Sequence, residues 1–161
     1  MALTADIATR RVGAEGAHQP VAAPMGANVT VFQGSIGLIA STGYLKNADV
    51  PAATDVIAGI IAGPAGGTYV NTGSGIVNGA VAGAVSVECA TGTFLLASAG
   101  AADQLSVATT GETCYVVNET QVGATNGGGT RPIAGVQLPS NPGDPTGYFQ
   151  IKLSGFAGEG P

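Results

Sequence analysis

The sequence has one histidine, His18, no tryptophan, and two cysteines, Cys89 and Cys114, with no Cys-x-x-Cys spacing anywhere. Zinc sites take closely spaced Cys and His ligands, so no metal is predicted. Acid–base chemistry is equally short of parts. An active site gathers convergent polar groups with tuned pKa values. The ten carboxylates stand singly here, with no D-x-D pair, and no serine lies in a G-x-S-x-G context. No catalytic residue and no cofactor site is predicted, and the chain reads as a non-enzyme.

Positive charge is scarce as well. Arg10, Arg11, Lys46, Arg131 and Lys152 are all the cations in a chain of net charge −5. They are too few and too scattered to follow a phosphate backbone, which argues against a nucleic-acid partner. Gly127-Gly128-Gly129-Thr130-Arg131 lacks the lysine and the following helix of a phosphate-binding loop, so a hairpin loop is expected there. Between Asp55 and Glu88 there is no charge, but Pro64, Gly66-Gly67, Asn71, Gly73-Ser74-Gly75 and Asn78 interrupt that stretch every few residues. Its longest apolar piece, residues 56–62, is far short of the roughly 20 residues of a spanning helix. The first ten residues lack an apolar run suited to a secretory leader. A soluble protein with no membrane partner and two reduced, partly buried thiols is expected.

What the chain does have is 27 glycines among short β-branched runs, and that combination predicts an all-β fold dense in turns. Val29-Thr30-Val31-Phe32, Gly37-Leu38-Ile39-Ala40 and Tyr44-Leu45 read as strands, followed by turn chemistry at Lys46-Asn47-Ala48-Asp49. Residues 56–62 form a continuous apolar run, expected to be a strand buried on both faces. Thr68-Tyr69-Val70 is a short strand between turns. Val85, Val87 and Cys89 alternate with Ser86 and Glu88, the pattern of a half-exposed antiparallel strand, and Thr93-Phe94-Leu95-Leu96 is expected to pair with it across Thr91-Gly92. Residues 112–117 and 120–123, the Gly-rich loop 124–130 and the strand 133–138 predict an antiparallel meander. A three-proline loop at 139–147 precedes the closing strand 148–153. The architecture expected is a small antiparallel β-barrel or jelly-roll-like sandwich with an extended N-terminal arm: arm 1–26, β domain 27–155 and C-terminal tail 156–161. Arg10 and Arg11, the doublet within the arm, are the candidate partner-contact residues.

Four segments also carry a resemblance: Gly111-Glu112-Thr113-Cys114-Tyr115-Val116-Val117, Thr120-Gln121-Val122, Ala134-Gly135-Val136 and Tyr148-Phe149-Gln150-Ile151. In that order they resemble the C-terminal part of the head decoration (cement) proteins of tailed bacteriophages. The resemblance is good over the C-terminal third and loose over the rest of the β body. It departs at Gly-Tyr-Phe-Gln-Ile, where a "VWV"-like ending is more usual, and at the longer 139–147 loop. It implies a non-enzymatic virion protein, assembled in the host cytoplasm, that sits on the capsid exterior. The implied partners are the major capsid protein and the protein itself, as a homotrimer. Other virion surface parts that contact the host, such as a head-fibre or tail protein, and a carbohydrate-binding β module remain alternatives.

Overall fold

The computed structural model describes residues 3, 20–65 and 75–154. Among these the protein is all-β. The strands are β1 Val21–Pro24, β2 Thr30–Val31, β3 Ile36–Ile39, β4 Leu45–Asn47, β5 Val56–Pro64, β6 Ile76–Val77, β7 Ser86–Ala90, β8 Thr93–Ser98, β9 Thr113–Val116, β10 Gln121–Gly123, β11 Ile133–Gln137 and β12 Tyr148–Leu153. Two 3-10 turns, Ala101–Asp103 and Val107–Thr109, lie between β8 and β9.

The strands form two bodies. The C-terminal five close into a barrel in the order β10-β8-β12-β11-β9. The N-terminal sheet runs β1-β7-β5-β3-β4, with the ribbon β2-β6 beside it. Its two edge strands meet at one end, where Met25 bridges Leu45 and the Gly26 amide donates to the Leu45 carbonyl at 2.8 Å.

β5 explains how one sheet serves two cores. Strict alternation would put residues 57, 59 and 61 on one face. Instead the register slips opposite Gly37/Leu38, and Gly59 adopts φ 135°. This bulge resets the parity. Ile57 and Ile60 then join Ile36 and Leu38 in the cluster that also contains Phe94, Leu96, Val116, Val122 and Ile151 from the barrel. Ala58 and Ile61 join Met25, Leu45, Val87 and Cys89 in the second cluster. Only glycine fits at 59, since a Cβ there would lie 2.5 Å from the Ala90 carbonyl oxygen. The expectation of a strand buried on both faces holds for residues 57–61; Val56, at the strand's start, is exposed.

Other expectations are corrected. The β domain starts earlier than residue 27, because Val21–Pro24 pairs antiparallel with β7. A lone buried alanine, Ala23, is the only core-facing residue of that strand, so it carries almost no sequence signal. Lys46 and Asn47 are the end of β4, not a turn, and pair with Leu38 and Gly37. β7 and β8 do not pair with each other: β7 belongs to the sheet and β8 to the barrel. The chain changes body at Gly92, which has φ 119° and accepts the Leu153 amide.

The C-terminal meander is also rearranged. β11 pairs with β9 and not with β10, while β10 closes the barrel through a parallel pairing with β8. The loop from Ala124 to Pro132 is too long to force neighbouring strands together as a two-residue hairpin does. Instead the Val116 amide donates to the Pro132 carbonyl and starts β11 on the far side of β9. Arm residues 4–19, the proposed strand 68–70 and the tail 156–161 lie outside the described residues.

Candidate functional site

The two arginines singled out from the sequence, Arg10 and Arg11, lie outside the described residues, as does His18. The remaining cations divide by role. Lys46 pairs with the buried Asp55 at 2.7 Å and donates to the Val50 carbonyl, tying β4 to the loop before β5. Arg131 pairs with Asp103 and also donates to the Thr125 carbonyl. Lys152 is exposed on the outside of β12. Two of these three charges therefore brace loops.

The Gly-rich loop is held from within. Asp103 Oδ1 accepts the Thr125 amide at 2.9 Å and its hydroxyl at 2.8 Å. Partial burial raises the Asp103 carboxyl, but the Thr125 hydrogen bonds and then Arg131 outweigh it and hold the group below the ordinary carboxylate range. The amides of Gly129, Thr130 and Arg131 all point at the Asn126 carbonyl, at 3.0–3.1 Å. Amides spent this way do not form an anion cradle, and the loop is not the expected hairpin loop either, because β10 and β11 do not pair.

Glu119 is a polar feature that sequence reasoning missed. It follows Asn118 in the β9–β10 turn, whose own Oδ1 accepts the Thr120 and Gln121 amides as an Asx turn. Glu119 is 2% exposed. Its backbone carbonyl accepts the Ile36 amide from β3, and its Oε2 accepts the Leu3 amide at 2.6 Å. One residue thus links the barrel, the sheet and the N-terminal segment. Oε1 has no hydrogen-bond partner among the described residues, and burial, with the Asp49 charge adding to it, raises the carboxyl above its usual range. A turn glutamate ordinarily reads as a solvated charge, so nothing in the local sequence marks this burial.

The cysteines sit in separate bodies, Cys89 on β7 and Cys114 on β9, both free and fully buried. Burial pushes each thiol up to about 12, which leaves almost no nucleophilic thiolate at neutral pH. Among the described residues no group of three or more His, Cys, Asp and Glu is arranged to hold a metal ion. No helix among them is long and apolar enough to cross a membrane.

What the barrel does offer is an outer face. Ile133 lies opposite Tyr115, and Val136 lies between Thr113 of β9 and Lys152 of β12. Ile133 is 52% and Val136 40% exposed. Ile133 and Val136 of β11, flanked by Thr113 and Tyr115 of β9 and Lys152 of β12 on fully paired strands, form a surface with an apolar centre and a polar margin, the composition of a contact patch. Comparison with protein-family models, with curated proteins and with solved structures yields no match to the chain.

Proposed function

We propose that the protein is a non-enzymatic structural component of a tailed-bacteriophage virion, a head decoration protein. In this reading it binds the outside of the capsid lattice as a homotrimer and cements neighbouring major capsid subunits around the packaged DNA. One observation carries the reading. The four segments that resemble decoration proteins fall on β9, β10, β11 and β12, which are contiguous around the barrel as β10-β9-β11-β12. The exposed residues Ile133 and Val136, with the half-buried Tyr115 opposite Ile133, lie on these strands and are the surface assigned here to the capsid.

The physical role follows from linkage. A ligand that binds only the assembled lattice stabilises it by mass action, and many copies multiply a modest term per site. Because the barrel is closed, its own contacts in this reading involve side-chain faces, and strand addition is open only to the sheet edges β1 and β4. The test is to saturate stripped particles with the protein and measure the temperature at which DNA is released. Release should shift upward, and the double variant Ile133→Glu/Val136→Glu, folded by circular dichroism, should no longer decorate. Equal release temperatures with and without bound protein would remove the cementing role. A monomer by light scattering, free and on the particle, would remove the trimer.

A further inference from the structure

Two Asn-Gly pairs occur in the chain, Asn78-Gly79 and Asn126-Gly127. The pairing matters chemically because glycine places no side chain over its own amide nitrogen. That nitrogen can then reach the Cγ of the preceding asparagine. The fold treats the two pairs in opposite ways.

Asn78 is fully buried. Its Nδ2 donates to the carbonyls of Met25 at 3.1 Å, Gly26 at 2.7 Å and Val81 at 3.0 Å. The carboxamide is immobilised, and its nitrogen, the leaving group of any attack at Cγ, is held by three acceptors away from water.

Asn126 is exposed in the Gly-rich loop. Among the described residues its Nδ2 has no acceptor, and Oδ1 accepts the Gly129 amide at 3.2 Å, which polarises the carbonyl toward attack. The Gly127 amide likewise has no acceptor among the described residues. Two polar groups flank this glycine: a side chain at 127 would meet Thr130 Oγ at 2.9 Å and Arg131 Nε at 3.0 Å. A guanidinium in the neighbourhood of Gly127 favours loss of a proton from that residue's amide, an effect tempered by the pairing of Arg131 with Asp103.

We infer that Asn126 is a site of spontaneous deamidation built into the barrel loop, and that Asn78 is its protected counterpart. The Gly127 nitrogen gives its proton to solvent and bonds to Asn126 Cγ. The Cγ–Nδ2 bond breaks, the departing amide leaves as ammonia, and a succinimide ring closes. Water then opens the ring on one side or the other, giving aspartate or isoaspartate. The net change is one water consumed and one ammonia released, with no oxidation. Either product adds a negative charge near Asp103. Isoaspartate also inserts a methylene into the main chain at the residue whose carbonyl gathers the amides of Gly129, Thr130 and Arg131. The loop therefore loosens with age while the strands stay paired.

The experiment holds the folded protein at mildly alkaline pH and follows its peptides by mass spectrometry, with isoaspartyl methylation as a second readout. Conversion of amide to acid at Asn126 should run at least about tenfold faster than at Asn78, a barrier difference of about 1.4 kcal/mol or more. In denaturant the two sites should react at similar rates. Asn126→Gln should silence the loop and leave Asn78 unmodified. An unreactive Asn126, equal rates in the folded protein, or a preference that survives denaturant would each overturn the assignment.

Discussion

The barrel and the N-terminal sheet solve the edge problem differently. The barrel closes through its own strand register, with every strand paired on both sides. The sheet leaves β1 and β4 as edges and joins them by a single bridge at Met25 and Leu45, with Asn78 gripping the Met25 and Gly26 carbonyls beside it. Closure by register spreads its stability over many backbone bonds, whereas closure by a bridge concentrates it in one side chain.

The largest effect should come from the barrel's tightest approach. A Cβ at Gly135 would sit 2.0 Å from the Lys152 carbonyl oxygen, so Gly135→Ala must separate β11 from β12. We expect a loss of about 3 kcal/mol or more, read as a fall in denaturant midpoint. Asn78→Ala tests the other mode of closure. Three carbonyls lose their donor, the buried one of Met25 among them, at a cost of about 2–3 kcal/mol. If closure rests on that side chain, hydrogen exchange should accelerate at Met25 and Gly26 before it does in the barrel.

Two carboxylates sharpen the comparison with opposite signs. Asp103 in the barrel loop is depressed, so its stabilisation is present above its unfolded value of about 3.9 and is lost as pH falls through the lower folded value. Glu119 at the junction is raised. Its contribution is full below the unfolded value of about 4.3 and is lost as pH rises through the folded value. Thermal unfolding across acid pH should therefore show Asp103→Asn flattening the acid limb, while Glu119→Gln flattens the decline at higher pH. The smallest effect is kinetic: thiol reagents should leave Cys89 and Cys114 unmodified in the folded protein and label both after unfolding, as mass spectrometry would read.

Strand positions were legible where residue chemistry is local. The alternation of Val87 and Cys89 with Ser86 and Glu88, the apolar run at 56–62 and the closing strand β12 are found as strands where their patterns put them. Pairing was less legible, because loop length and not strand composition decides it. Nothing in residues 121–123 announces that β10 takes β8 as a parallel neighbour. β1 was hidden by its small, mostly exposed residues. Glu119 was hidden because its burial is imposed by β3 and by Leu3, far away in sequence.

β5 carries a final consequence. Its bulge delivers Ile57 and Ile60 to one core and Ala58 and Ile61 to the other, so neither body owns the strand. Opening either body strips half of β5's support, so beyond local fraying we expect no intermediate in which one body stays protected while the other exchanges freely. The slowest amides of both bodies should then report a single opening free energy, equal to that of global unfolding. Two bodies by architecture, the protein is one foldon by virtue of a misplaced glycine.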